Sequence, residues 1–405
     1  MFVDRWKTIL SRKAEATALW HPAGALSFRE LDELARALPA QHCAMLGEHF
    51  LAQGDGVEIT LALLAGLLRG LPVQVVEKDR QRRVPARLPQ GAPVALIKQT
   101  VGSSGLRRCQ FFDFPQIAAD VDRLHAALGL ADQAVALAPL SVAHSFGLTT
   151  TVLQTLLHGL PTHWLPTPFP TGMVEALKQH ERVFLPGVPA MWKAWLISGL
   201  DLGRVSLAVS AGSVLTKELE AKVREVFGLK LHNLYGTSEC GAISYDGGET
   251  ARADTADLGM LLPGIETSTG MNGRLQVCSD AVGLGYDETL PGEVFGGGTH
   301  LTWDVIEARE GGRLDFQACL GAGINVASRK LSPQEIAAKI REATGIGSVE
   351  VSGAPSRDPE RVQDVVCTLD LPAEALTQEF KARACAALAP WEVPRRWKSS
   401  AAAAQ

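Results

Sequence analysis

Cysteine pairs are missing from this sequence. Its seven cysteines, Cys43, Cys109, Cys240, Cys278, Cys319, Cys367 and Cys385, are scattered, odd in number and free of any Cys-x-x-Cys spacing. That argues against a disulfide framework and a structural zinc site, and fits a reducing compartment. Long hydrophobic runs are missing too. The longest, 59–68, stops at Arg69 and is too short to cross a bilayer. The first residues, Met-Phe-Val-Asp-Arg-Trp-Lys, contain no apolar stretch of the signal-peptide kind, so a cytoplasmic protein is expected. Basic residues are not in excess. Lys+Arg 39 against Asp+Glu 44 gives a net charge of −5, unlike the balance of proteins that coat nucleic acid. Neither a nucleic-acid nor a membrane partner is expected. No internal repeat occurs, and no loop ends in the Gly-Lys-Ser/Thr of a Walker A motif.

What is present is ordinary globular material: 405 residues, 46% hydrophobic and 20% charged. The length suggests two to three domains and a substantial core. Residues 26–38 show helical spacing at Leu31, Leu34, Ala35 and Leu38, with Ser27 and Glu30 placed as a capping box. A buried helix is expected over 59–68, then strands at 73–76 and 94–97 around a loop at 79–92. Helix and strand next alternate: helices at 114–128, 148–157, 173–180, 189–198 and 217–227, strands at 134–137, 162–165, 183–185, 207–210 and 231–234. Such alternation predicts an α/β fold with a largely parallel sheet. After residue 245 helical patterns give way to short β runs such as 273–278 and 313–317, with a glycine-rich turn at 296–298. Residues 318–405 carry their own pattern, with helices at 333–343 and 373–387 and strands at 348–353 and 364–369. The expected organisation is therefore a large N-terminal domain, 1–317, of parallel-sheet α/β layers plus a β-rich segment. A small α+β C-terminal domain, 318–405, follows. The alanines at 401–404 read as a frayed tail.

Two segments carry chemistry. Thr100-Val-Gly-Ser-Ser-Gly-Leu-Arg-Arg108 follows an expected strand. Its glycines let backbone N–H groups converge on an anion, its hydroxyls add donors, and a cation closes the loop. Taken alone, an ordinary surface turn is an equal reading. Asn233-Leu-Tyr-Gly-Thr-Ser-Glu239 also follows a strand and offers a stacking face, a hydroxyl and a hard oxygen ligand for Mg²⁺. The carboxyl end of a parallel strand is where open α/β sheets bind ligands. A plain strand-to-loop turn with an exposed carboxylate is the alternative.

Together these loops resemble the adenylate-forming superfamily, which includes acyl- and aryl-CoA synthetases. Further segments extend the likeness in order: Ser27-Phe-Arg-Glu-Leu31, Pro139-Leu-Ser-Val-Ala-His-Ser-Phe-Gly-Leu148, Val205-Ser-Leu-Ala-Val-Ser-Ala-Gly-Ser-Val-Leu215, Gly259-Met-Leu-Leu-Pro-Gly264, Gly273–Tyr286, Thr302-Trp-Asp304, and the run from Ile324 to Ile336 that resembles the start of a mobile C-terminal domain. The resemblance implies a site. Thr100, Gly102, Ser103, Ser104 and Gly105 would cradle the β- and γ-phosphates of ATP, with Arg108 where the family usually has Lys. Gly212 and Tyr235 would sandwich adenine, Ser238 would touch the α-phosphate, Glu239 would hold Mg²⁺, and Asp304 would accept the ribose hydroxyls. His144 would line the carboxylate or thiol side; a helix-edge histidine is its bland alternative. Phe146, Ser210, Ala211, Asn233, Gly236, Cys240 and Gly241 would wall the acyl pocket, Cys240 as a small side chain and not as a nucleophile. Arg329 and Lys330 would reach a phosphate or the pantetheine from the small domain, or else form a solvated strand edge.

The resemblance also has gaps. The segment between Val76 and Val94 is shorter than the family's. Ala318-Cys319 stands where the family has a hinge Gly-Arg, and no Gly-Lys pair follows Trp391-Glu-Val-Pro-Arg-Arg-Trp397. Lys398 comes too early to replace that lysine. The expected activity is ATP- and Mg²⁺-dependent activation of an aryl or short acyl acid as its adenylate. Transfer follows to coenzyme A or a carrier-protein phosphopantetheine. An acidic carrier would dock on a patch such as Arg395, Arg396 and Lys398. A shortened sequence, a slow adenylating enzyme, a specialist in thioester formation and a nucleotide- or acyl-binding protein without turnover stay open as alternatives.

Overall fold

The computed structural model describes residues 2–78, 80–100, 107–130, 134–165, 167, 169–321, 323–358 and 360–400. Its chain divides into two compact units. One runs to Thr100 and from Arg108 to Ala318; the other takes in Arg107 and the residues from Cys319 onward.

The large unit is the expected α/β structure. Its helices start and stop where local chemistry dictates. Ser27 and Glu30 form a capping box on Phe28–Ala37, Asp55 and Glu58 one on Gly56–Arg69, and Asp113 and Gln116 one on Phe114–Leu128. Each box satisfies N–H groups that the first turn leaves unpaired. The last two helices end at left-handed glycines, Gly70 and Gly129. An N-terminal helix that sequence patterning did not bring out, Phe2–Lys13, buries Phe2, Trp6 and Ile9. The Trp6 indole N–H donates to Asp32 Oδ1 at 2.8 Å.

Two sheets organise this unit. The larger, of fourteen strands among the described residues, changes character midway. Thr162–Trp164, Val135–Ala138, Val183–Gly187, Val205–Ser210 and the first half of Leu231–Thr237 run parallel. From the second half of Leu231–Thr237 onward the neighbours are antiparallel, through Gly241–Tyr245 and Asp257–Leu261. This is why the helical patterns stop after residue 245: antiparallel strands need only short turns, whereas parallel ones need crossover helices. The second sheet places Leu96–Thr100 between Val73–Val76, parallel to it, and Arg108–Phe112, antiparallel.

One core gathers Trp6, Phe28, Phe50 and the helix Gly56–Arg69. A second lies beneath the strands around Cys240 and Ile243. A third packs Trp192 and Trp195 against Val183, Leu185 and Leu231.

The small unit has its own core of Ile324, Leu331, Ile336, Ile340, Val365 and Leu369. The helix Pro333–Thr344, the hairpin Ile324–Val326 with Arg329–Leu331, and a three-stranded sheet build it. The third strand of that sheet, Arg396–Ser399, pairs parallel with Gln363–Leu369. The expected helix at 373–387 is a short turn at Ala373–Ala375 followed by Gln378–Cys385. No helix of the described residues is long and apolar enough to cross a membrane.

Candidate functional site

The strand Leu231–Thr237 is the pivot. Asn233 lies beside Ser210 in the parallel register, and two residues later the strand has begun its antiparallel pairing with Gly241–Tyr245. The carboxyl ends of the parallel strands therefore face the turn from Thr237 to Gly241. Two features shape that turn. Cys240 N–H donates to Thr237 Oγ1 at 3.2 Å. Gly241 has φ +71°, and a Cβ there would sit 2.1 Å from Asp120 Oδ1, so a side chain is excluded twice over. Asp120 underlies the turn, accepting from Ala242 N–H at 2.9 Å and Thr149 Oγ1 at 3.3 Å. Burial raises its carboxyl above the ordinary range.

Glu239 projects from this turn and is buried. Its Oε1 accepts from Gln110 Nε2 at 2.7 Å and from Tyr286 O–H at 2.6 Å; its Oε2 lies 3.9 Å from His300 Nε2. Burial alone pushes a carboxyl up, but the charge of His300, the Tyr286 hydroxyl and Lys98 hold this one below its ordinary value. Burial and the neighbouring Glu239 raise the Tyr286 phenol well above its usual range, so it remains a donor.

Asp304 reaches the site from the long strand Thr299–Ala308. Tyr235 O–H donates to its Oδ2 at 2.9 Å, and Thr302 Oγ1 accepts from its N–H at 3.2 Å. The structure thus brings together the residues read from sequence as an adenine face and a ribose acceptor. Gly212, at φ +87°, follows the end of Val205–Ser210.

His144 caps the short helix Ser145–Gly147, and its Nε2 meets Glu77 Oε1 at 2.5 Å. Burial opposes ionisation of Glu77, yet His144 and Arg80 hold its carboxyl well below the usual range. Directly after this helix, Leu148–Val152 is a π-helical turn. Thr150 and Thr151 hydroxyls donate to the carbonyls of Phe146 and Gly147 four residues back, at 2.6 and 2.5 Å. Such bonds often bend a helix, and π-turns recur at functional sites.

One residue that sequence reasoning missed stands at the centre. Lys98, in the strand Leu96–Thr100, donates to Ser238 O at 2.6 Å and to Ser145 Oγ at 3.1 Å. Its ammonium lies 4.0 Å from the centre of the Phe112 ring. Burial pushes it down to about 8, against the fields of Asp120 and Glu239. The available signal was a lone lysine closing an apolar strand.

Arg108 does not take the place expected of it, as the cation of the phosphate loop. It opens the strand Arg108–Phe112, opposite Thr100, and is 2% exposed. Its guanidinium lies 3.7 Å over the Tyr286 ring and meets both Glu293 oxygens at 2.5 and 2.7 Å. Its charge is thus matched within the fold, and it supports Tyr286, which holds Glu239.

Gly102, Ser103, Ser104 and Gly105 lie outside the described residues. Of the expected pocket walls, Ser210, Ala211, Asn233 and Cys240 are buried, Phe146 and Gly241 are half-buried, and Gly236 is exposed. Ser210 Oγ is buried with no hydrogen-bond partner. Burial pushes the Cys240 thiol far up, leaving it protonated. Arg329 and Lys330 belong to the small unit, where the Arg329 guanidinium lies 4.1 Å over the Trp391 ring. In the same unit Arg395 and Arg396 approach Asp364 at 3.7 and 3.3 Å, so part of the basic patch is already paired. Among the described residues no cluster of three or more His, Cys, Asp or Glu is arranged to hold a metal by itself.

With this geometry in hand, the class of protein follows. The family model described as AMP-binding enzyme matches residues 66–269, half of the sequence, and the chain belongs to that family. It is 29% identical over 223 residues to a 2-hydroxy-7-methoxy-5-methyl-1-naphthoate–CoA ligase of Streptomyces carzinostaticus, covering 52% of this chain and 39% of that one. It is 22% identical over 328 residues to a long-chain-fatty-acid–CoA ligase of Bacillus subtilis, covering 75% of this chain and 58% of that one. The chain thus spans well under two thirds of both relatives. Among solved structures, a malonyl-CoA ligase with methylmalonyl-CoA and AMP bound superposes with a TM-score of 0.77 at 19% identity, covering 97% of each chain. That likeness is one of fold.

Proposed function

We propose that the protein activates a carboxylic acid with ATP, forming an acyl-adenylate and releasing pyrophosphate, and passes the acyl group to a thiol. The observation that carries this reading is the joint placement of Glu239, Tyr235 and Asp304 around the strand where the sheet changes direction. A stacking phenol is hydrogen-bonded to a ribose-type acceptor, and an ionised buried carboxylate lies in the turn that follows the phenol's strand.

The residues divide the work. Tyr235 offers a face to adenine, and Asp304 exchanges the Tyr235 hydroxyl for the ribose diol. Glu239 suits Mg²⁺ in one respect: Oε1 is fixed by two donors, leaving Oε2 as a single oriented oxygen. One protein oxygen is enough when nucleotide phosphates and water complete the shell, as Mg²⁺ prefers. Mg²⁺ held by Glu239 would supply charge neutralisation at the nucleotide phosphates, while the acid's oxygen attacks the α-phosphorus and pyrophosphate departs. The protein's part is to position two anions and meet charge that builds in the transition state. His144, at the half-exposed start of its helix, faces the carboxylate or incoming thiol and is oriented by Glu77.

The acid is an aryl or short acyl acid, in keeping with the compact segment between Val76 and Val94. The acceptor is coenzyme A or a carrier-protein phosphopantetheine. Arg329 and Lys330 contribute to that step from the small unit. Incubation with ATP, Mg²⁺, pooled aryl and short acyl acids and coenzyme A tests the reading. AMP release that requires an acid, with thioester detected by mass, is the expected result. AMP release without thioester directs the search to a carrier protein, and no acid-dependent AMP contradicts the proposal.

A further inference from the structure

Lys98 has no place in the division of work above. A buried ammonium is costly unless its charge is met. Among the described residues no carboxylate lies within 4 Å of its Nζ. The Ser238 carbonyl, the Ser145 hydroxyl and the Phe112 ring surround it instead. If this position served packing alone, a methionine of similar length would fill it without the desolvation cost.

The three partners explain the lysine. Lys98 lies on the strand that leads to Thr100. Ser238 precedes Glu239 in the turn, and Ser145 follows His144 at the start of its helix. One side chain thus joins three segments that each carry a candidate site residue. Asp120 holds the same turn from the far side, through Ala242 N–H. A half-buried lysine and a buried carboxylate therefore brace the segment 238–242, and neither is paired directly with the other.

We propose that Lys98 is a positioning residue of the adenylating site, whose ammonium fixes the Ser238–Glu239 turn against the His144–Ser145 segment and so sets where Glu239 presents its oxygen to a nucleotide-bound divalent cation. The proposal rests on the function given above. It differs in acting through Glu239 and Ser145 and not through the substrate.

Lys98→Met and Lys98→Arg separate the roles. Calorimetry with ATP, in the presence of Mg²⁺ and in EDTA, reads the metal-dependent part of nucleotide affinity. Acid-dependent pyrophosphate exchange reads catalysis, and thermal unfolding reads the fold. In Lys98→Met, Mg²⁺-dependent ATP affinity and exchange are expected to fall about 10- to 100-fold, as when partners of a metal ligand are removed. Affinity in EDTA should stay as in the wild type. The unfolding midpoint should move by no more than about 3 °C, because removing a buried charge offsets the lost hydrogen bond. Lys98→Arg should recover part of the metal-dependent affinity. Unchanged Mg²⁺-dependent affinity in Lys98→Met overturns the proposal. So does an equal loss with and without Mg²⁺ accompanied by a lowered midpoint, which is the signature of a purely structural role. If the wild type binds Mg·ATP but exchanges no pyrophosphate with any acid, the proposed function fails, while the calorimetric comparison still decides the part played by Lys98. If the wild type shows no Mg²⁺-dependent ATP binding, both fail.

Discussion

At the residue scale, the site depends on a few positions where geometry leaves no choice. Gly241 is one. Its left-handed φ, and the 2.1 Å that would separate an added Cβ from Asp120 Oδ1, make alanine strained and obstructed together. Gly241→Ala should destabilise the protein by about 1–3 kcal/mol, the usual cost of a forced backbone conformation. Urea unfolding measures this, and exchange activity should fall with it because Glu239 lies two residues away. Residues of this scale were unevenly legible in the sequence. Tyr235, Glu239 and Asp304 stood out because a resemblance named them, and in the structure Tyr235 donates to Asp304. Arg108 was visible as a cation, but its partner Glu293 lies 185 residues away and comes beside it only through folding. Lys98 offered only its place at the end of an apolar run; its partners Ser238 and Ser145 come beside it only through folding.

At the element scale, periodicity and capping chemistry were a good guide. The helices Phe114–Leu128, Pro189–Ser198 and Lys217–Phe227 and the strand Val73–Val76 fall where pattern places them. The caps are testable. Asp55 accepts from both Val57 and Glu58 N–H, so Asp55→Ala should cost about 1 kcal/mol in denaturant unfolding while leaving exchange activity unchanged. Elements whose stability is supplied from afar were harder to see. Arg108–Phe112 includes a buried Arg and a buried Gln, which contradict a strand pattern until Glu293 and Glu239 are beside them. Leu148–Val152 reads as ordinary helix. Its π-turn is accompanied by threonine hydroxyls bonded to carbonyls four residues back, which hydrophobic spacing does not record.

At the scale of the whole molecule, the alternation of helix and strand and its loss after residue 245 already outlined a largely parallel sheet followed by a β-rich segment. What spacing did not give was the strand on which the change occurs, and that strand carries the site. Buried histidines away from it set a further property. His163 and His180 hydrogen-bond to each other at 2.9 Å beside Trp20. Burial, aided by its neighbour, pushes His163 down to about 4 from an ordinary 6.5, and burial lowers His180 as well. In this range the unfolded chain binds protons that the folded one refuses. Stability contributed by the neutral rings is therefore complete above about pH 6.5 and is lost as pH falls toward 4. Thermal midpoints measured across that interval should decline with acid, and His163→Gln should flatten the decline.

The central function proposed for this site is joining a carboxylate to the α-phosphate of ATP. Acid-dependent ATP–pyrophosphate exchange tests it most directly, run with pooled aryl and short acyl acids on the wild type and on Glu239→Gln. Exchange should require both an acid and Mg²⁺ and fall at least about 100-fold in the variant. Exchange of equal rate in Glu239→Gln, or none with any acid in a wild-type protein that binds Mg·ATP, would contradict that function.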